Sequence, residues 1–177
     1  MKIRFSGLGG QGIVMSGFIL GKAAVLDDFN VIQTQTYGSA YRGMIGKSDI
    51  IISKKQINEI EFNDPDTLVV FSQDAYNQYH KTLKKEGILL MDKDLIKQEK
   101  LNYKRYSIPI TSLSNQKFGK KIYANIIMLG YMSAIVQPVS KSSLIKSITE
   151  TVPKGTYKEN LNAFELGYKK GIEDKKI

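Results

Sequence analysis

The strongest constraint on this chain lies at its start. Lys2 to Gly7 reads as a short strand, Gly7-Leu8-Gly9-Gly10-Gln11-Gly12 follows at once, and an apolar helical stretch continues to about Asp27. A strand that turns through clustered glycines into a helix opens a Rossmann-like unit, because residues without a β-carbon permit the tight turn and leave helix-start N–H groups open to an anion. Gly17 and Gly21 stand one helical turn apart, which puts two side-chain-free positions on one face and lets the helix approach a sheet closely.

The rest of the chain continues that pattern. Asn30 to Gln35, Ser48 to Ser53, Thr67 to Ser72, Gly87 to Asp92 and Arg105 to Pro109 read as strands, with a loop from Thr36 to Lys47 and a helix between the third and fourth. Runs such as TLVVFS and GILLMD suit strands buried on both faces of a parallel sheet. Ile122 to Val136 predicts an apolar helix, Ser140 caps another through Thr149, and Tyr157 to Lys170 forms the last, with Leu161, Phe164 and Tyr168 on one face. The expected architecture is α/β, a Rossmann-like three-layer fold with a mostly parallel sheet flanked by helices. At 177 residues and 42% hydrophobic content, one domain spanning residues 1–177 is expected, with residues 172–177 a frayed tail.

Composition narrows the chemistry. The chain has no cysteine, so it builds neither a disulfide nor a thiolate-held iron–sulfur cluster, and any such redox centre must sit elsewhere. Its single histidine, His80, lies in a polar helical stretch and is expected to be solvated and without a role. The net charge of +9 is mostly scattered lysine, with Arg4, Arg42 and Arg105 as the arginines, so a lysine-rich surface or steering towards an acidic partner fits better than nucleic-acid binding. Lys2 and Arg4 before Ile13 to Leu20 imitate an export signal. Intervening glycines, Gln11 and the following Lys22 argue instead for a folded segment. No stretch is long and apolar enough to span a membrane, and a cytoplasmic protein is expected.

Two loops are candidate binding elements. The first comprises Gly7, Gly9, Gly10, Gln11 and Gly12. It admits a dinucleotide, another phosphorylated ligand, or a purely structural role; the dinucleotide reading lacks the acidic residue that holds a ribose, since Gln33 and Gln35 occupy that region. The second, Tyr37-Gly38-Ser39-Ala40-Tyr41-Arg42-Gly43, follows the second strand and therefore lies near the carboxyl edge of the sheet, where open α/β folds place ligands. Arg42 could grip a phosphate or carboxylate through paired hydrogen bonds, anchor its own loop, or meet a partner subunit. Asp92 and Asp94 read as strand-end capping residues. No hydrolytic triad and no metal-binding cluster of carboxylates is evident.

Taken in order, these motifs resemble one family, the gamma subunits of 2-oxoacid:ferredoxin oxidoreductases, which also occur as a fused domain in larger pyruvate enzymes. Gly7 to Gly12 is similar to its GxGGQG opening, Tyr37-Gly38 with Arg42-Gly43 to its YGxxxRGG loop, and Ile51-Ile52-Ser53 to its strand-Ser ending. Asn125 to Gly130 resembles its NxxMLG helix, while Asn160, Ala163, Phe164 and Gly167 fall on its NxxAFxxG pattern. Ala40 replaces a frequent Glu and Met44 replaces the second Gly after RG. The resemblance implies an assembly that oxidatively decarboxylates a 2-oxoacid with thiamine diphosphate, passes electrons through iron–sulfur clusters to ferredoxin and forms an acyl-CoA. Thiamine diphosphate, magnesium and the clusters would belong to alpha and beta subunits, with a delta subunit as a further candidate partner. This chain alone would be inactive, with coenzyme A a candidate contact at the GGQG and YG/RG loops. The wording of the loops is closer to the 2-oxoglutarate branch than to the pyruvate branch. A free-standing Rossmann-type nucleotide-binding reductase or regulatory module is the alternative.

Overall fold

The computed structural model describes residues 1–36, 44–97 and 103–176. Among them, the strands are β1 (Lys2–Leu8), β2 (Asn30–Thr36), β3 (Ile45–Ser53), β4 (Thr67–Val70), β5 (Ile88–Asp92) and β6 (Lys104–Ile108). They form one sheet in the order β2-β3-β1-β4-β5-β6. β3 runs antiparallel to both β1 and β2, while β1, β4, β5 and β6 pair in parallel. The mostly parallel α/β fold expected from the sequence is observed, with a refinement: β3 lies between β1 and β2. Its residues are largely buried and include Ile50-Ile51-Ile52, apolar towards both faces, whereas β2 (NVIQTQT) is half-exposed. An interior position goes to the strand that can bury both faces.

The helices are α1 (Ile13–Leu26), α2 (Gln73–Tyr79), α3 (Ile110–Phe118), α4 (Ala124–Val136), α5 (Lys141–Thr151) and α6 (Tyr157–Lys175). Phe5, Ile50, Val69 and Leu90 pack from the sheet against residues of α1, α4, α5 and α6 to form the larger core. On the other face, Leu68, Val70, Leu89 and Met91 meet Ala75 and Tyr76 of α2, with Leu83 and Ile96. The two faces alternate along each strand, as the pleat requires.

α1 approaches the sheet as its glycines predict. A β-carbon on Gly17 would strike Ser48 and come within 2.9 Å of Gln33 Nε2, whereas one on Gly21 would make an ordinary contact, 3.4 Å from Val31. The glycines of NxxMLG and NxxAFxxG serve a second close approach, α4 on α6. An added β-carbon on Gly130 would collide with the backbone of Phe164, and one on Gly167 with the backbone of Ile127.

Opposite the larger core lies a buried ion pair that the sequence did not reveal. Arg4 Nε and Nη2 each donate to Asp49 at 2.7 Å, and Nη2 also donates to the Phe62 carbonyl at 2.8 Å. Both side chains are 2% exposed, and the guanidinium lies over the rings of Phe62 and Tyr79. The residues are direct cross-strand partners between β1 and β3, so the antiparallel register creates the pair.

Several local expectations are corrected. His80 is buried: its ring stacks on Tyr76 with centroids 4.7 Å apart, and Nδ1 lies 2.7 Å from the Tyr76 carbonyl, to which it donates. The polar neighbours in sequence point elsewhere around the turn. β3 begins at Ile45, and α3 occupies a stretch not read as helical; its polar sequence ITSLSNQKF carries little apolar periodicity. α6 continues to Lys175, beyond the Lys170 boundary and into the stretch expected to fray. Tyr131 anchors that extension by donating to Asp174 at 2.6 Å. Ser140 does cap α5, accepting from the Ser143 N–H at 3.1 Å.

Candidate functional site

The glycine loop lies where β1 and β4 part company. From β1 the chain crosses to β2 on one side, and from β4 it crosses to β5 on the other, so the carboxyl ends of β1 and β4 flank the switch point at which open α/β sheets bind ligands. Gln11 spans this position. Its Oε1 accepts from the Leu8 N–H at 2.6 Å, and its Nε2 donates to the Phe71 carbonyl at 2.8 Å, directly after β4. Gly7 makes room for this side chain: a β-carbon there would stand 2.5 Å from Gln11 Oε1 and 2.9 Å from Phe71 Cβ.

Gly10 and Gly12 adopt φ of 96° and 76°, left-handed conformations that glycine enters without steric cost. Gly12 also lies against Asn125, which sits in the first turn of α4 and reaches its carbonyl through Nδ2 at 3.4 Å. Gly9 donates to the Met44 carbonyl at 3.1 Å, tying the loop to the entrance of β3. The structure thus places Gly7, Gly9, Gly10, Gln11 and Gly12 together at the carboxyl edge. Tyr37, Gly38, Arg42 and Gly43 lie outside the described residues.

Two clefts flank the loop. One, about 690 Å³, runs between α1 and the carboxyl-edge halves of β2 and β3, with Met15, Phe18, Gln35 and Met44 in its walls. The other, about 640 Å³, is bordered by Gln11, Asp92, Thr111, Lys121, Asn125 and Asn160. The second gathers the amino-terminal turns of α1, α3, α4 and α6; those of α1, α4 and α6 have no side-chain cap, while that of α3 is met by the carboxylate of Asp94. Uncapped N–H groups and converging helix dipoles favour negative charge, and Lys121 adds a cation. Asn125 and Asn160 are each 7% exposed. Sequence reading placed both in family motifs without giving either a role; the signal was their position at the first turns of α4 and α6.

Asp92 is almost fully buried in this cleft. Burial pushes its carboxyl above the usual range, opposed by a hydrogen bond from the Thr111 hydroxyl, 2.6 Å long, and by the Asp94 N–H. Asp94 in turn accepts from the Ser112 N–H at 2.7 Å, at the start of α3. The capping role read from the sequence accounts for both contacts.

The loop does not present the features of a dinucleotide site. Gln33 Nε2 is engaged with the Val14 carbonyl at 3.3 Å and Ser48 Oγ at 2.9 Å, joining α1 to the sheet rather than facing a ribose. The crevice between β1 and β4 is crossed by the protein's own Gln11. Among the described residues, no group of three or more His, Cys, Asp or Glu gathers to hold a metal, and no helix is long and apolar enough to cross a membrane.

Comparison with known proteins follows this geometry. Residues 2–170 match the family model of pyruvate ferredoxin/flavodoxin oxidoreductase. The 2-oxoglutarate synthase subunit KorC of Methanocaldococcus jannaschii is 43% identical over 171 residues, covering 94% of this chain and 91% of that protein. The keto/oxoacid ferredoxin oxidoreductase gamma subunit of Geobacter sulfurreducens superposes with a TM-score of 0.87 at 36% identity, over 97% of this chain and 98% of that one. The fold also matches, at 21% identity and a TM-score of 0.87, part of the 2-oxoglutarate:ferredoxin oxidoreductase of Magnetococcus marinus, whose structure holds 2-oxoglutarate, coenzyme A and succinyl-CoA; 97% of this chain is covered but 31% of that one. The chain belongs to the pyruvate ferredoxin/flavodoxin oxidoreductase family, as a subunit of the gamma type.

Proposed function

We propose that this chain serves a 2-oxoglutarate:ferredoxin oxidoreductase, the cytoplasmic assembly that converts 2-oxoglutarate and coenzyme A to succinyl-CoA and carbon dioxide while reducing ferredoxin. The observation that carries the reading is the 43% identity to a 2-oxoglutarate synthase subunit, spread over 94% of the chain. Alpha and beta companions, with a delta chain as a further candidate, supply the thiamine diphosphate, magnesium and iron–sulfur clusters. The residues here do not suit those groups: the chain has no cysteine for a cluster, and its described carboxylates form no metal-binding group. No redox step is assigned to this chain, and in isolation it is inactive.

Its own contribution is to hold coenzyme A at the carboxyl edge. The amides of Gly10 and Gly12, with Arg42, suit a phosphate. The adjoining cleft adds Lys121 and the uncapped starts of α1, α4 and α6, while Gln11 holds the loop open by bridging Leu8 and Phe71. A free-standing nucleotide-binding module is less well supported, because Gln11 crosses the crevice a dinucleotide would use and Gln33 is engaged within the fold.

Anaerobic capture of the chain with its companions, followed by assay of viologen reduction, tests this reading. Reduction dependent on both 2-oxoglutarate and coenzyme A is expected from a brown complex. Activity with another 2-oxoacid would change the substrate. A colourless chain without companions that binds NAD or FAD at micromolar concentration would replace this reading with the nucleotide-binding one.

A further inference from the structure

We infer that the cleft bordered by α3, α4 and α6 reads the pantetheine arm of coenzyme A, with the carboxamide oxygens of Asn125 and Asn160 accepting from the two amide N–H groups of that arm. This inference deepens, and rests on, the proposed reading in which the chain holds coenzyme A at the carboxyl edge.

The first observation is an imbalance among the polar groups of the wall. Gln11 is engaged at both ends. Asp92 accepts from the Thr111 hydroxyl and the Asp94 N–H, and the Thr156 hydroxyl donates to the Pro153 carbonyl at 2.9 Å. Asn160 Nδ2 donates to the Thr156 carbonyl at 2.8 Å and to the Thr156 hydroxyl oxygen at 3.1 Å, while Asn125 Nδ2 faces the Gly12 carbonyl at 3.4 Å. A backbone carbonyl can only accept, so these contacts fix which end of each carboxamide is nitrogen.

Two acceptors are left over. Asn125 and Asn160 are each 7% exposed, and neither Oδ1 accepts a hydrogen bond from any described residue. The exposure they keep is towards the cleft they line. Buried polar groups are as a rule matched, so an open acceptor in a cleft wall is a seat for a ligand's donor.

The second observation is the character of the remaining wall. Met15, Leu95 and Ile122, at 41%, 43% and 73% exposed, present apolar surface to this cleft, whose volume of about 640 Å³ lies within the range of small-molecule sites. Its rim is positive. Lys121 stands in the wall, and the exposed Lys93, Lys120 and Lys154 directly adjoin the lining residues Asp92, Lys121 and Pro153 in sequence.

Together these features select one class of ligand: a mainly hydrocarbon stem for the walls, two N–H donors for the open oxygens and negative charge for the rim. A free phosphate or a nucleotide polyphosphate meets the rim alone. The adenine amino group, a single nitrogen, does not match two acceptors on separate helices. The pantetheine arm carries two secondary amides on an aliphatic chain joined to phosphate, and it meets all three. Asn125 and Asn160 are therefore specificity residues for the arm, while the reacting thiol lies beyond them.

The test uses the assembled enzyme and two ligands, coenzyme A and an analogue whose pantetheine amides are replaced by esters, which keeps the shape and removes the donors. Wild type should show a KM about tenfold higher for the ester with kcat little changed, because a contact remote from the thiol holds ground state and transition state alike. Asn125→Leu keeps the branching of the side chain and removes the carboxamide. It should raise KM for coenzyme A by about threefold or more and shrink the ratio between the two ligands by about threefold. Asn160→Leu should act in the same direction.

Equal KM for the two ligands in wild type would overturn the inference, whether or not either variant folds. So would variants that keep the wild-type circular dichroism and raise KM for both ligands by the same factor, since that is the mark of a purely structural role. If the wild-type assembly reduces viologen without any need of coenzyme A, the proposed function fails first, a result distinct from indifference to the amides.

Discussion

Replacing Gly167 with alanine should separate two helices that the sequence requires to touch. In an exposed helix, glycine to alanine is favourable by about 1 kcal/mol. Here the added β-carbon would collide with the Ile127 carbonyl oxygen and lie 2.8 Å from its carbon and 3.0 Å from the Tyr131 nitrogen. Comfortable separation from a carbon is about 3.5–4.0 Å, so α4 and α6 must part by about 1 Å or more. A radial gap of that size forfeits about a quarter to a half of the dispersion energy of the contacts it opens, and overpacking of this kind costs about 1–3 kcal/mol. Because the obstacle is backbone and not a side chain that can rotate, the upper end applies. After the helix-propensity gain, a net loss of about 2 kcal/mol is expected, a melting decrease of roughly 4–8 °C for a protein of this size. Urea unfolding of Gly167→Ala beside Gly21→Ala measures it directly. The latter adds a methyl in ordinary contact with Val31, 3.4 Å away, and should be neutral or slightly stabilising. Gly130→Ala should resemble Gly167→Ala, and the double variant should lose less than the sum, since helices already parted by one methyl admit the second. Equal stability of Gly167→Ala and Gly21→Ala would refute the close-approach reasoning.

Asp49→Asn should destabilise by about 3–5 kcal/mol, because Arg4 would keep a buried charge without its counter-ion; chemical denaturation checks this, and replacing both partners with apolar side chains, Arg4→Met together with Asp49→Leu, should recover most of the loss. Gln11→Ala leaves the Leu8 N–H and Phe71 carbonyl without their partner; a loss of about 1–3 kcal/mol and a raised KM for coenzyme A in the assembled enzyme are expected, whereas an unchanged KM would remove the loop from coenzyme A binding. Burial raises the Asp27 carboxyl, but hydrogen bonds from the Ser140 N–H and the hydroxyls of Ser143 and Ser140, with Lys54 nearby, outweigh it and leave the group below its ordinary value. A carboxylate lowered by folding contributes stability that is present above its unfolded pKa of about 3.9 and is lost as pH falls through the folded value. Asp27→Asn should therefore cost no more than about 1 kcal/mol near neutral pH, because solvent screens this largely exposed group, and converge on wild type in acid; an equal gap across the whole pH range would show that the carboxylate charge is irrelevant.

The division between local and tertiary information follows from the range of the interactions. Gly10 and Gly12 announce a turn because left-handed backbone is a property of single residues, and Ser140 announces a helix start because its cap closes within three positions. Apolar runs such as TLVVFS place buried strands for the same local reason. From these the sequence alone determined the α/β class, the strand–glycine–helix opening and the absence of thiolate chemistry. It also made Gly17 a packing residue, since helical spacing shows which positions share a face.

Other features depended on neighbours far along the chain. Arg4 carried no assigned role until antiparallel pairing of β1 and β3 set Asp49 opposite it. Asn125 and Asn160, 35 positions apart in sequence numbering and on separate helices, met in one cleft only when α4 packed on α6 through Gly130 and Gly167. Gln11 acquired its role when β4 placed the Phe71 carbonyl 2.8 Å from its amide. Backbone conformation and amphipathic spacing are written within a turn or two of chain; the partners of a buried charge, and the walls of a cleft, are chosen by packing.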